Sequence, residues 1–300
     1  MRIVAAPDKF RGTATAREVA AAVAAAGRAA RARTRELPMS DGGEGFLDVF
    51  GGANRTSVVT GPLGDPVEAG WRLANRVAVV EMARASGLAL VGGAEGNDPV
   101  AADTTGTGEL LMEALDAGAR RILVGHGGSA STDGGLGALR ALFPSARLRG
   151  VDLVAAVDVD TAFLHAADVF AAQKGASPSQ VELLRRRLER LAQVYLEEHH
   201  VDVTALPGAG AAGGLAGGLA AVGATIVSGF DLVAEELELA EAVEGADLVV
   251  TGEGFVDAAS FHGKVVGGVV ELAEELDVPV LVVAGEVYDG VDERVDAVSL

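Results

Sequence analysis

The sequence predicts an α/β protein with largely parallel sheets, and three observations carry that prediction. Short apolar runs alternate with amphipathic segments along the whole chain, the order that layers helices over parallel strands. Hydrophobic residues make up 49% and charged residues 22% of 300 positions, a composition suited to a large core and far from that of disordered chains. Aromatics are only 4%, so Ala, Val and Leu must build that core. The length allows two domains of ordinary size or one large one.

Residues 2–6 read as the first strand. Thr15 and Glu18 have the spacing of a capping box and open a helix reaching about Arg33. Residues 34–37 form a second strand. Shorter strands at 56–60, 67–73 and 77–81 are joined by turns at Gly61-Pro62 and Asn75-Arg76. A helix over 107–117 precedes strands at 121–125 and 153–158. Ser177-Pro178-Ser179-Gln180 starts a long helix with Val181, Leu184, Leu188, Leu191 and Tyr195 on one face. Its Arg185, Arg186, Arg187 and Arg190 read as a solvated face. Residues 231–243 read as one helix, 247–251 as a strand, 264–276 as a helix and 278–284 as a strand. A last parallel strand needs cover, so either another element lies over 278–284 or the chain is trimmed. The β-rich stretch from 56 to 81 marks a change of architecture, giving domains of 1–60 with 230–300 and of 61–229.

The net charge of −19 argues against nucleic acid and anionic membranes as partners. The absence of Cys excludes disulfides and thiolate chemistry. Residues 206–230 carry no charge, but eight glycines and a proline make them too weakly apolar for a membrane helix. They read as a Gly-rich loop, a small-residue helix and a strand. The first apolar run stops at Pro7-Asp8, too short for a signal-peptide core, which makes a cytoplasmic protein the expectation. The five histidines form no metal pattern; His199-His200 sits at a helix end, where capping is expected. Trp71 reads as core.

Polar, glycine-rich clusters fall where strands end, the place where α/β sheets bind ligands. Lys9 and Arg11 follow the first strand. Asp41 and Glu44 lie in Ser40–Gly45 after the second, able to hold a metal or accept a proton. Gly125–Gly135 offers Ser129, Ser131, Thr132 and Asp133, and Pro207–Gly214 precedes the small-residue helix. Thr251-Gly252-Glu253-Gly254 is followed by Asp257 and by His262-Gly263-Lys264. Gly, Ser and Asp also make ordinary turns. Here, however, Lys9 and Lys264, two of only three lysines among 24 basic residues, fall in such clusters; the third is Lys174. Backbone N–H nests with nearby cations suit phosphate, and adjacent carboxylates suit Mg²⁺ or a hydroxyl proton. There is no Walker A motif, and the G-x-G-x-x-G at 208–213 has no clear strand before it.

Taken in order, ten segments resemble the bacterial glycerate kinase family of two-domain α/β enzymes: 6–12, 37–45, 81–88, 104–110, 127–135, 158–160, 173–176, 207–215, 250–257 and 263–264. The resemblance covers nearly the whole chain. It implies two α/β domains with a substrate cleft between them, and ATP-dependent, Mg²⁺-assisted phosphorylation of D-glycerate, with the 2-phosphate favoured. There are departures. Thr132 stands where the family often has Asn, and Thr161-Ala162 where it usually has Asn-Pro. Phe255-Val256-Asp257 lacks the Arg of many members, and Ala259-Ser260 replaces a Gln-Thr pair. An insert between Phe143 and Leu153 is missing, and the family continues past Leu300 with a helical tail. These leave two alternatives: a kinase for another small hydroxy acid, or a non-catalytic ligand-binding relative.

Mapped onto this chain, the resemblance and the chemistry of phosphoryl transfer give these expectations. Lys9, Arg11, Glu44 and Ser129 bind substrate, Arg11 as a bidentate carboxylate fork. Asp41 or Asp133 accepts the hydroxyl proton. ATP phosphates lie on Gly127, Gly128, Gly208, Gly210, Gly213 and Gly214, with Lys264 or Lys174 neutralising charge. Glu253 and Asp257 are the Mg²⁺ candidates. The three lysines are expected to line one cleft.

Overall fold

The computed structural model describes residues 1–261, 264–288 and 295–300; His262 and Gly263, part of an expected loop motif, lie outside them. The chain opens with β1 (Arg2–Ala5), α1 (Ala16–Ala29) and β2 (Arg33–Glu36). There follow α2 (Phe46–Val49), β3 (Arg55–Thr60), β4 (Pro66–Ala74), β5 (Val77–Glu81), α3 (Ala83–Ser86), α4 (Thr105–Asp116) and β6 (Arg121–Gly125). Next are α5 (Leu136–Ala141), β7 (Asp152–Val157), α6 (Ala166–Phe170), α7 (Pro178–His199), α8 (Ala211–Ala221) and β8 (Thr225–Ser228). The chain closes with α9 (Gly229–Glu236), α10 (Leu239–Glu244), β9 (Leu248–Val256), α11 (Val265–Glu275), β10 (Val280–Val287) and β11 (Asp296–Ser299). Two compact units result, one of Met1–Asp41 with Ser228–Leu300, the other of Gly42–Val227.

The first unit is built on a sheet in the order β11-β10-β9-β1-β2, with every pair parallel. Its apolar residues come from Ile3, Val250 and Val282 on strands and Val266 and Val270 on α11. The capping box that opens α1 is formed: Thr15 N–H donates to Glu18 Oε2 at 2.8 Å, and Glu18 N–H to Thr15 Oγ1 at 3.2 Å. The edge strand β2, Arg-Thr-Arg-Glu, is largely exposed and charged, which discourages edge-to-edge pairing. The expected single helix over 231–243 is two helices, because Glu238 turns left-handed (φ 54°) and re-aims the chain so that Leu239 and Val243 are buried.

The strand expected to need cover, β10, has β11 as a parallel neighbour. The 251–254 segment, read from sequence as a loop, instead continues β9, since β10 pairs with it as far as Val287–Val256.

The second unit carries a sheet ordered β3-β4-β5-β6-β7-β8. β3, β4 and β5 pair antiparallel, and β5, β6 and β7 parallel. Trp71, Leu110, Leu111, Ile122 and Leu219 fill its core. Trp71 is core as expected, its Nε1–H satisfied by Ser57 Oγ at 3.0 Å. The pairing of β3 with β4 sets the boundary: residues 55–60 belong to this unit, so the division falls after Asp41 rather than at the expected residue 60. α7 begins at the Ser177 cap with Pro178 in its first turn and ends on left-handed His200. Among the described residues no helix is long and apolar enough to cross a membrane.

Candidate active site

In the first unit, the carboxyl ends of β1 and β2 and the middle of β9 converge on a group of charged side chains. Asp8 N–H donates to Gly252 O at 2.9 Å, and Thr251 Oγ1 to Ala6 O at 2.8 Å, which fixes the 6–8 backbone against β9. Gly254 lets the next turn lie close: a Cβ there would sit 3.3 Å from Arg11 N. Lys9 Nζ then lies 3.6 Å from Asp8 Oδ1 and 3.8 Å from Asp41 Oδ1. Asp8 is 6% exposed. Burial pushes its carboxyl up to about 7; Lys9 opposes this, while the charges of Asp41 and Glu253 add to it. Glu253 is also raised, by burial first, against a Ser260 hydrogen bond and the charge of Lys264. Its Oε1 is buried without a partner.

Asp8 was not singled out from sequence, although it stands directly at a strand end between Pro7 and Lys9. Lys264 is the N-cap residue of α11 and half-buried. Arg11 is exposed. Asp257 orders the turn that follows β9, its Oδ1 accepting from Ser260 N–H at 3.1 Å.

In the second unit, Gly127 and Gly128 form the open part of the 125–135 loop, and Ser129 is buried beneath them. The turn from Gly42 packs directly on this loop, since a Cβ on Gly127 would lie 2.6 Å from Gly43 Cα. Glu44 is exposed on that turn. His126 is fully enclosed. Its Nδ1 is 2.9 Å from Val124 O, which places the proton there and leaves Nε2 as a bare acceptor without a partner. Burial holds the ring neutral, down to about 4. Ser131 Oγ and Thr132 Oγ1 are likewise buried and unpartnered.

Three groups of expected site residues lie in enclosed settings here. Asp133, a candidate base, accepts from Thr104 N–H and Oγ1, Gly135 N–H and Gly137 N–H. Burial raises its carboxyl against those bonds. Both its oxygens are engaged in tying α4 and α5 to the loop. Gly208, Gly210, Gly213 and Gly214, expected under ATP phosphates, are buried. Gly213 O accepts from Gly134 N–H at 3.0 Å, and a Cβ on Gly214 would lie 2.9 Å from both Gly134 Cα and Phe163. Gly213 and Gly214 let α8 touch the loop, whereas Gly208 packs against Val157 and Val159 and Gly210 against Thr161 and Ala162. Lys174, expected at a phosphate, is 3% exposed. Its Nζ donates to Ser129 Oγ at 2.7 Å and to Ser131 O at 2.6 Å. It is enclosed within the second unit, whereas Lys9 and Lys264 belong to the first.

A cavity of about 960 Å³ lies between α5 and α7, with Leu136, Leu188, Leu191 and Tyr195 in its wall. Its wall also carries Arg140, Arg187, Arg190 and His199.

Strand-end carboxylates around a lysine and a glycine-rich loop can serve many chemistries, so similarity to known proteins decides the class. The profile of the Glycerate kinase family matches residues 3–143 and 144–298. The chain belongs to the glycerate kinase family. It is 38% identical to Glycerate 2-kinase of Escherichia coli (strain K12), over 97% of this chain and 87% of the relative. It is also 38% identical to a Glycerate kinase of Bacillus subtilis (strain 168), over 96% and 85%. The crystal structure described as glycerate kinase 2 of Salmonella typhimurium LT2 superposes with a TM-score of 0.85 at 36% identity, covering 96% of this chain and 90% of that one. Family membership makes the protein a phosphotransferase with an alcohol acceptor.

Proposed function

We propose that the protein transfers the γ-phosphoryl group of ATP to a hydroxyl of D-glycerate, with Mg²⁺, forming 2-phosphoglycerate in the cytoplasm. The observation that carries this reading is the Asp8–Lys9–Asp41 group at the ends of parallel strands in a glycerate kinase family chain. The 2-phosphate is favoured because a relative at 38% identity is named Glycerate 2-kinase.

Phosphoryl transfer asks a protein for positioning, charge neutralisation and a proton acceptor. The acceptor is assigned to the Asp8–Asp41 pair, and within it to Asp8. A carboxyl held near 7 is partly ionised at working pH and basic enough to take a hydroxyl proton. Lys9, between the two carboxylates, keeps both from repelling an anionic substrate. Arg11 is exposed and presents a planar fork for the glycerate carboxylate.

For Mg²⁺ the donor set fits a nucleotide-carried ion. Among the described residues no group of three acidic or histidine side chains forms a protein cage, and Mg²⁺ commonly uses one or two carboxylates plus phosphates. Glu253, with its unpartnered Oε1, is the residue to hold it; Asp257 is the weaker candidate, because Ser260 already uses its Oδ1. Bound there, the ion would offset the charge of the phosphate oxygens. Lys264, whose charge already reaches Glu253, adds a second cation at the same strand end. The nucleotide backbone contacts are assigned to Gly127 and Gly128, the open part of their loop.

The test is an assay of purified protein with ATP, Mg²⁺ and a panel of small hydroxy acids, with product position read by ³¹P NMR. Transfer to the 2-hydroxyl of D-glycerate is expected. Faster transfer to another hydroxy acid overturns the substrate, and transfer to the 3-hydroxyl the regiochemistry. Binding without turnover overturns the kinase reading.

A further inference from the structure

Lys174 is a lysine buried without an acid to pair with. Among the described residues no carboxylate lies within ion-pair distance of its Nζ, and its two partners are neutral oxygens, Ser129 Oγ and Ser131 O. The surrounding chain holds it in place. Asn97 Nδ2 donates to Lys174 O at 2.9 Å and to Ala130 O at 3.0 Å, stitching the lysine backbone to the loop above it. Gly175 takes φ 95° and lies against the Ala94 carbonyl, where a side chain would collide.

An ammonium has donors and no acceptor. Ser129 Oγ therefore accepts from Lys174, and its own hydrogen cannot return to that nitrogen. The Ser129 backbone is fixed as well, bridged to Gly87. Gly127 and Gly128 open the loop just before it, and the neighbouring Ser131 and Thr132 hydroxyls have no partner.

We propose that Lys174 is a positioning residue: from beneath the 127–131 loop it obliges the Ser129 hydroxyl to donate away from it, to an oxygen of an anionic substrate, without touching that anion itself. The anion is a carboxylate or a phosphate, that is, glycerate or the nucleotide. This rests on the reading that the 127–129 loop serves the kinase reaction.

The arrangement depends on the charge of Lys174. A neutral amine has a lone pair, so Ser129 can then turn its hydrogen inward and present a lone pair to the anion instead. Burial brings the Lys174 ammonium down to about 7, against the charge of Asp133 on the same loop. His126, also on that loop, is neutral. On the 94–98 segment that packs against the lysine, Glu95 and Asp98 are exposed, and Asp98 accepts from Val100 and Ala101 N–H. Anion affinity is thus expected to fall as pH rises past about 7.

The experiment is a double-mutant cycle of Lys174→Met, Ser129→Ala and the double variant in the full chain. KM for glycerate and for ATP is measured separately, the other being saturating, from pH 6 to 8.5, with thermal unfolding as the folding control. Each single variant is expected to raise KM for one of the two anions by about 10–100-fold, the loss of a hydrogen bond to a charged group. The anion affected identifies the source. The double variant should be no worse than Ser129→Ala, because the lysine acts only through the serine. Wild-type KM should rise through about pH 7 and be flat in Ser129→Ala. A Lys174→Met loss that multiplies the Ser129→Ala loss makes the lysine a direct anion ligand and overturns the proposal, as does a wild-type KM in folded Lys174→Met. Should Lys174→Met fail to fold, the pH profiles of wild type and Ser129→Ala decide alone, and identical profiles overturn it. Wild-type kinetics in Ser129→Ala with both substrates instead removes the loop from the reaction, which is a failure of the underlying reading.

Discussion

Replacing Asp8 by Asn should make the protein more stable and inactive at once. The carboxyl is buried beside Asp41 and Glu253, and its pKa is raised from 3.8 to about 7. At about 1.36 kcal/mol per pH unit, the folded state bears up to about 4 kcal/mol when Asp8 is fully ionised. Below about pH 4 the side chain is protonated in both states and the cost is absent. Between about pH 4 and 7 the folded chain keeps a proton that the unfolded chain releases, so wild-type stability falls as pH rises. Asn is neutral throughout and has an oxygen that can accept the Lys9 N–H bond now made to Asp8 Oδ1 at 2.7 Å. Urea unfolding of both proteins from pH 4 to 8.5 reads the difference directly. Asp8→Asn should gain nothing at pH 4 and about 2–4 kcal/mol above pH 7, while kcat falls on the order of 100-fold for loss of a general base. A stability difference that does not change with pH would refute the electrostatic argument. Near-wild-type turnover would refute the assignment of the base.

His126 is the opposite case, a base whose pKa is lowered from 6.5 to about 4. The unfolded chain binds its proton first, so stability is lost as pH falls from about 6.5 to 4, by about 3 kcal/mol. His126→Asn should remove that slope, and equal slopes would refute it. Gly213→Ala should lower stability by more than about 2 kcal/mol, since φ is 69° and the Cβ meets the Ser131 carbonyl. Thermal unfolding checks this; a loss of ATP affinity at wild-type Tm would instead restore a nucleotide role for that glycine. Lys264→Ala should raise KM for ATP about tenfold or more with little change in Tm, because the side chain is half-buried at a helix start. Unchanged KM would remove it from the nucleotide site.

The regular elements were legible because each rests on a local cause. Thr15-Glu18 and Ser177-Gln180 are capping boxes with reciprocal bonds, and β6 is built around the apolar run Ile122–Val124. β11 was not, because Asp296–Ser299 is short and mostly exposed and exists through its pairing with β10. The glycine clusters are visible in the sequence but not distinguishable there. A glycine that opens a loop, such as Gly128, and one that admits a packed neighbour, such as Gly214, look the same in a sequence. Lys174 and Asp133 stand out by residue type and motif, and only burial and partners separate an anion ligand from a group that shapes the loop. Asp8 does not stand out in the sequence because acidic residues at strand ends are common turn formers; its raised pKa comes first from burial, which only the fold creates, and then from the charges of Asp41 and Glu253, more than thirty positions away in sequence.

The first sheet joins the two ends of the chain, with Ile3 opposite Leu248, and this sets a timetable for biosynthesis. At about 5–20 residues per second, β1 emerges on the order of ten to fifty seconds before β9, and in that interval the whole 42–227 unit is made. That unit has its own sheet and core and can fold first, which shortens the loop β1 must close to a distance fixed by a folded body. Until then β1 and β2 present an unpaired parallel edge. The polar, charged side chains of β2 therefore serve the nascent chain as much as the finished one. Apolar substitutions there should lower soluble yield during expression more than they lower the stability of protein already folded.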